Sequence, residues 1–369
     1  MSRRRAREVG LRFEGQPGPL NAITDVAGIG VGMTTLIEAP APGRHAGLCT
    51  GVTAIVPRLG FPTLQPVWAG LHSFNGNGEL TGSHWIRDGG WFLGPVLLTN
   101  THSVGIVHHA AIRWLIQNHA SELEDRHQWF MPVVGETYDG ILNDINAQAI
   151  TEQHVLAALD TAVSGPVEEG NVGGGTGMIA YEYKGGTGTS SRQVEIVGED
   201  YMIGVLVQAN HGMRDWLRVS GIPVGQYLRD DLLLERETGS VIVVIATDCP
   251  LLPHQLDRVA RRGAIGISQN GTVGGNSSGD IFLAFTTARS MRIDREAPVR
   301  QSFDALDDRH LDTIYAASVQ AIEEAVVNAM VAAEDRVAVK PPGRMVKAMN
   351  VDQLLEIIFE FDHSVNAPE

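Results

Sequence analysis

Two runs, Tyr201-Met202-Ile203-Gly204-Val205-Leu206-Val207 and Ser240-Val241-Ile242-Val243-Val244-Ile245-Ala246, constrain the architecture more than any other feature of this chain. A strand with one wet face alternates apolar and polar residues, and neither run does so. Both therefore read as central strands covered on both faces. Thr50-Gly51-Val52-Thr53-Ala54-Ile55-Val56-Pro57, the stretch Ala22 to Met33, and Ile281-Phe282-Leu283-Ala284-Phe285-Thr286-Thr287 supply further strands. The cover must come from amphipathic helices. Apolar residues recur at helical spacing in Ser103 to His119 (Val107, Ala111, Trp114, Leu115) and in Ile150 to Val163 (Val155, Leu156, Leu159, Ala162). His254 to Arg262, entered through Pro250 and Pro253, and Leu311 to Ala333 read as helices too, with a last one after the turn Lys340-Pro341-Pro342-Gly343. No repeat and no linker interrupts the pattern, so residues 1–369 read as a single α+β domain. The polar, glycine-rich stretch Leu71 to Trp91 reads as a long loop, a length that usually serves function.

Charge narrows the partners. With 28 basic and 43 acidic residues the net charge is −15, which repels nucleic acid and anionic membranes. The basic cluster Arg3-Arg4-Arg5 with Arg7 lacks the apolar segment that follows in a secretory signal, and reads as a solvated tail. Two cysteines, Cys49 and Cys249, without a signal sequence point to small core thiols in a reducing cytosol. No metal-ligand spacing occurs, so neither metal nor cofactor is expected.

The glycine-rich pieces fail as nucleotide sites. Gly28-Ile29-Gly30 has Met33 where a dinucleotide fingerprint needs its third glycine, and Gly173-Gly174-Gly175-Thr176-Gly177 lacks the Lys-Ser/Thr of a phosphate loop. Gly275-Asn276-Ser277-Ser278-Gly279 satisfies the letters of a nucleophile elbow, with Ser277 as nucleophile. An elbow needs a strand before its serine and a helix after it; here a flexible stretch precedes and a strand follows. A serine that opens a strand has another use. Cleavage before it frees an α-amine of pKa roughly 7.7–8.0, which can take the hydroxyl proton without a histidine. The plain alternative is a Gly-Asn-Ser-Ser turn with no chemistry.

Several ordered motifs bear on that choice: Ile23-Thr24-Asp25-Val26, Asn75-Gly76-Asn77-Gly78-Glu79-Leu80-Thr81-Gly82, Thr99-Asn100-Thr101-His102-Ser103-Val104-Gly105, Glu136-Thr137-Tyr138-Asp139-Gly140, Gly173-Gly174-Gly175-Thr176-Gly177-Met178, Gln208-Ala209-Asn210-His211-Gly212 and Ser278-Gly279-Asp280-Ile281. In them the chain resembles the L-aminopeptidase/D-esterases and β-peptidyl aminopeptidases of the DmpA and BapA type, over nearly its whole length. The resemblance implies a four-layer αββα sandwich, made as one chain that cuts itself into a large piece, 1–277, and a small piece, 278–369. It needs no cofactor, and several such αβ units assemble into a homo-oligomer.

The resemblance also assigns residues. Ser278, before Gly279-Asp280, matches the nucleophile; Ser277 stays open as the new terminus, because cleavage after Asn276 also yields a serine. Asn210 matches the oxyanion donor, and Glu136 and Tyr138 the side of the pocket that takes the substrate ammonium. Ser318 matches a second serine near the nucleophile. Two residues on, the family has a glutamate and this chain has Gln320, so Glu323 or Glu324 substitutes or the amine titrates differently. Trp85 and Trp91 fall in a segment at the mouth of the site, where they pack substrate or core. The implied activity is release of N-terminal residues from small peptides, amides or esters through an acyl-enzyme on Ser278. Two other readings stand beside it: an acyltransferase of the ornithine acetyltransferase type, which uses threonine, and a non-catalytic oligomeric relative.

Overall fold

Strand burial on both faces, expected from the two apolar runs, organises the molecule. The structure, a computed structural model, describes residues 4–41, 46–60, 64–120, 129–293 and 299–365. In chain order the first half runs β1 (Gly30–Glu38), β2 (Leu48–Val56), β3 (Val67–Gly76), α1 (Ser83–Gly89), β4 (Trp91–Phe92), β5 (Val96–Asn100), α2 (Val104–Asn118), β6 (Val133–Thr137) and α3 (Glu152–Asp160). Then follow β7 (Ile179–Ala180), β8 (Tyr183–Lys184), β9 (Gly186–Ile196), β10 (Glu199–Asn210), β11 (Ser240–Thr247), α4 (Pro253–Gln269) and β12 (Gly279–Thr286). The chain ends with α5 (Leu311–Val331), the hairpin β13 (Arg336–Val339) and β14 (Pro342–Val346), and α6 (Val351–Val365).

A six-stranded sheet of order β4-β3-β12-β11-β10-β9 stacks on a four-stranded sheet of order β1-β2-β5-β6. Alternation along β11 shows why no residue of it is polar after Ser240 until Thr247. Val241, Val243 and Ile245 pack toward α4 and α5, on Leu256, Val259, Ile314 and Ile322. Ile242, Val244 and Ala246 face the other way, into the space between the sheets, with Val31, Ile55 and Leu98. Each buried Val, Leu or Ile among them contributes about 1.5–3 kcal/mol. The outer face of the four-stranded sheet is closed by α2 and α3 through Val107, Ala111, Val155 and Leu159. The result is the α/β/β/α layering that the family resemblance implies, with β11 and β12 paired in parallel at its centre.

Some elements differ from the sequence reading. The stretch Leu71 to Trp91 is not one loop: β3 continues to Gly76, and α1 occupies Ser83–Gly89. Its polar strand half is supported by antiparallel pairing with β12. The strand β9 carries Gly-Thr-Gly-Thr-Ser-Ser-Arg, which gives no apolar signal, yet it is buried. Its side chains are small because α5 lies directly on it: a Cβ at Gly188 would sit 1.9 Å from the Ala325 carbonyl oxygen. Ser190 donates to the Ala321 carbonyl at 2.5 Å, so even the polar residues there are satisfied by the helix backbone.

The basic N-terminal cluster is not a solvated tail. Arg5 pairs with buried Glu169 at 2.6 Å and Arg7 with buried Glu324 at 2.9 Å; Arg3 lies outside the described residues. Glu324 also receives fully buried Arg192 at 2.8 Å. Burial lowers the Arg192 pKa, against the pull of Glu324. Cys49 and Cys249 are free and buried, and burial raises both thiols.

Gly188→Ala is expected to cost about 3 kcal/mol or more, because the helix must move off the strand; a denaturant midpoint unchanged from wild type would contradict this packing. Glu324→Gln leaves buried Arg192 without its charge partner and is expected to cost about 3–5 kcal/mol in the same measurement.

Candidate active site

One row of the six-stranded sheet brings distant segments together. Asn210, the last residue of β10, pairs with Ser240, the first of β11. Ser240 pairs with Gly279, the first of β12, and Gly279 with Gly76, the last of β3. Strands lie about 4.8 Å apart, so Asn210 is about 10 Å from Gly279, two strands away. Ser278 stands immediately before this row.

Ser278 is 1% exposed, and its hydroxyl donates to Asp280 Oδ1 at 2.6 Å. Its nitrogen donates to the Gly275 carbonyl at 2.9 Å, closing a turn of four residues, Gly275 to Ser278. A turn before the serine and a strand after it exclude the nucleophile-elbow geometry for Ser277. Asn75 Nδ2 donates to the Gly275 carbonyl at 3.1 Å and to Asp280 Oδ2 at 3.2 Å, tying the turn to the carboxylate. Burial raises the Asp280 pKa, and the hydrogen bonds from Ser278 and Asn75 oppose the shift. Asn77 Nδ2 donates to the Ser277 carbonyl at 2.6 Å, and the Gly279 N–H reaches Ser240 Oγ at 3.3 Å.

Beside this turn lies an open cleft of about 580 Å³, lined among others by Gly78, Thr101, Glu136, Tyr138 and Ser240. Glu136 is on β6, in the other sheet, and is buried. It accepts the Glu79 N–H at 2.9 Å and the Thr101 hydroxyl. Burial raises its pKa, with the Thr101 and Glu79 hydrogen bonds pulling it back. A Cβ at Gly78 would lie 3.4 Å from both Glu136 Oε1 and Gly279 Cα, so only a glycine separates that carboxylate from the start of β12. Tyr138, 39% exposed, forms part of the wall.

Asn210 is buried and holds two segments: it accepts the Ile179 N–H at 2.8 Å and donates to the Tyr138 carbonyl at 3.0 Å. A primary amide has two N–H donors, so one remains for a ligand. A narrower pocket next to the cleft shares Tyr138 and adds Asn210, His211 and Glu237. Burial lowers the His211 pKa to about 4, so this ring is neutral.

Ser278, Asn210, Glu136 and Tyr138 are thus gathered at one end of the stacked sheets; Ser318 and Gln320 are not. Ser318 is fully buried in α5 and spends its hydroxyl on the Ile314 carbonyl at 2.7 Å, the ordinary partner of a helix serine. Gln320 reaches Glu14 at 3.3 Å, and its carbonyl accepts from Arg192 at 3.0 Å. Through the register Arg192 aligns with Ile203, Thr247 and Thr286, the far end of β12. The substitution of Gln for Glu therefore falls far from the nucleophile. Nor does Glu324 replace that glutamate, since Arg7 and Arg192 hold it. Trp85 and Trp91 stack edge to face at 5.2 Å and border a separate small pocket with Trp129 and Met131.

The carboxylates next to the turn are Asp280 and Glu237, and the sequence reading gave neither a role. Asp280, Asn75 and Asn77 lay within its motifs, whereas Ser240 and Glu237 carried no signal: strand pairing puts Ser240 there, and the loop before β11 puts Glu237 beside Gly275. Among the described residues no group of three or more His, Cys, Asp or Glu is placed to hold a metal ion, and no helix is long and apolar enough to cross a membrane.

Comparison with known proteins places the fold in a family. The fold is similar to that of the L-aminopeptidase D-Ala-esterase/amidase of Ochrobactrum anthropi, a serine aminopeptidase and a variant of the Ntn hydrolase fold, with TM-score 0.93 and 53% identity over 97% of this chain and 99% of that one. A β-aminopeptidase from Burkholderia sp. gives TM-score 0.88 and 43% identity, covering 97% and 99% of the two chains. Over 347 residues the sequence is 47% identical to the β-peptidyl aminopeptidase BapA of Sphingosinicella microcystinivorans, covering 89% of this chain and 86% of that protein. Fold and site together define a hydrolase of the Ntn class that acts as an aminopeptidase. The profile of peptidase family S58 matches residues 21–341, and the chain belongs to that family. The acyltransferase and non-catalytic readings give way to it.

Tyr138 packs on the cleft and not in a core, so Tyr138→Ala is expected to raise KM for a peptide substrate about threefold to tenfold, the 0.5–1.5 kcal/mol of an aromatic contact. Steady-state kinetics with a thermal melt check this; an unchanged KM would take Tyr138 out of the substrate wall.

Proposed function

We propose that this aminopeptidase matures by cutting its own Ser277–Ser278 bond and then uses Ser278 as a terminal nucleophile. Support comes chiefly from one observation: Ser278 is 1% exposed beneath the Gly275–Ser278 turn, its hydroxyl already held by Asp280. In the uncut chain a substrate cannot reach that oxygen, and loss of the covering segment opens it toward the Glu136 cleft. The cut proceeds by an N-to-O acyl shift. Ser278 Oγ adds to the Ser277 carbonyl, the C–N bond breaks to leave an ester and a free amine, and water hydrolyses the ester. Entropy favours it, because nucleophile and carbonyl are adjacent in one chain.

In turnover the new α-amine accepts the hydroxyl proton as Ser278 attacks the substrate carbonyl. The free N–H of Asn210 stabilises the oxyanion, a contribution of about 3 kcal/mol. Glu136 pairs with the ammonium of the substrate's first residue, a charge-assisted contact that restricts the enzyme to free N-termini. Water then releases the acyl group. Small peptides, amides and esters fit this scheme. The relatives' names support α- and β-amino acids alike as the leading residue. The free buried thiols support a cytosolic location, and the family resemblance supports assembly of several cleaved units.

Denaturing gels and intact mass of purified protein test this. Wild type is expected to give two fragments, the smaller beginning at Ser278, and Ser278→Ala one full-length band without activity. An active wild-type enzyme that stays a single uncut chain would sink the proposal.

A further inference from the structure

The loop between β3 and α1 touches a bond 200 residues away in sequence, at the end of the neighbouring strand. Gly76 and Asn75 pair with Gly279 and Asp280, and this register brings Asn77 over the Gly275–Ser278 turn. Its Nδ2 lies 2.6 Å from the carbonyl oxygen of Ser277. Across the same peptide bond, Ser278 Oγ lies 2.6 Å from Asp280 Oδ1. Addition of a hydroxyl to an amide carbonyl needs a donor on the oxygen and an acceptor for the hydroxyl proton. Both are in position while the chain is still whole. Asn210 is not: its amide oxygen accepts from Ile179 and one N–H goes to the Tyr138 carbonyl, with no contact to the Ser277 carbonyl that Asn77 already holds.

We propose that Asn77 and Asp280 form a processing centre that acts once, on this chain's own Ser277–Ser278 bond, and that it is separate from Asn210, which serves turnover. The inference rests on the self-cleavage reading above. Asp280 accepts the Ser278 hydroxyl proton as Oγ bonds to the Ser277 carbonyl carbon, and Asn77 donates to the oxyanion that forms. The carbon–nitrogen bond then breaks, and Asp280 returns the proton to the departing nitrogen, which becomes the Ser278 amine. Water adds to the remaining ester, the carbon–Oγ bond breaks, and Ser277 leaves as a carboxylate. Burial raises the proton affinity of Asp280, which suits a carboxylate that must hold a proton between two steps. Asn75 is a positioning residue: one amide nitrogen binds both the Gly275 carbonyl and Asp280, fixing turn and base together.

Full-length wild type, Asn77→Ala, Asp280→Asn and Asn210→Ala are to be followed by denaturing gel and intact mass after expression, with circular dichroism and a thermal melt on each. Asn77→Ala is expected to slow cleavage about 100-fold, the effect of removing one oxyanion donor, while its melting midpoint stays at that of the uncut Ser278→Ala protein. Asp280→Asn, nearly identical in shape, is expected to remain whole and folded. Asn210→Ala is expected to be cut at close to the wild-type rate and to lose turnover. If Asn77→Ala does not fold, Asn77→Asp decides, since it keeps the shape and removes the donor. Cleavage of the Asn77 variants at the wild-type rate would overturn the assignment, as would an Asn210→Ala protein blocked as strongly as Asn77→Ala. Wild type that never cuts defeats the self-cleavage reading itself; wild type that cuts alongside an unimpaired Asn77→Ala defeats only this one.

Discussion

The parallel pairing of Ser240–Thr247 with Gly279–Thr286, buried on both faces, is the constraint on which the rest of the molecule depends. Two adjacent strands without a wet face must be covered on both sides; here α4 and α5 cover one face and the four-stranded sheet the other, which with α2 and α3 outside gives four layers. Parallel pairing also starts both strands at the same edge. Ser240 and Ser278-Gly279 are therefore neighbours although α4 lies between them in sequence, and antiparallel β10 delivers Asn210 to the same place. The chemistry sits where a rigid core stops and the backbone is free to turn.

The opposite end of the sheet is held differently. There Arg192 and Glu324 are fully buried, and desolvating such a pair costs about as much as the attraction returns. The cost is met by numbers: Arg192 also donates to the carbonyls of Glu14, Ser191 and Gln320, and Glu324 accepts from Arg7, Arg192 and Asn21. The N-terminal arm, Asn21, β9 and α5 are thereby fixed in one geometry. Gln320 belongs to this structural knot, which explains why a residue matched by motif to the catalytic machinery is found remote from it.

Motif and periodicity reading reached the elements whose burial is apolar: β10, β11, β12 and the helices around them lie where the patterns put them. It failed at β9, where close approach of α5 demands glycine and serine, and at β3, whose polar end is satisfied by β12. Those are contacts between distant segments, and no local pattern encodes them. At the site, a serine opening a strand after a flexible turn was only a weak local signal, and Ser278 was singled out by the resemblance of Ser278-Gly279-Asp280 to the family's motif. Ser318 looked equally plausible, yet its hydroxyl was already spent within its own helix. Asp280, Asn75 and Asn77 were visible as residues and silent as to role.

The amino-acid sequence by itself determined the buried central strands, the helices that cover them and the acidic balance of the chain, because each rests on composition or on short-range periodicity; the four-layer class and the candidate nucleophile came from ordered motifs that resemble a known family. Which groups touch that nucleophile was decided only in three dimensions. Asp280 on its hydroxyl, Asn77 on the carbonyl of the preceding residue and Glu136 beyond Gly78 come to its end of the sheets because strand register, a property of paired chains, sets what lies opposite what.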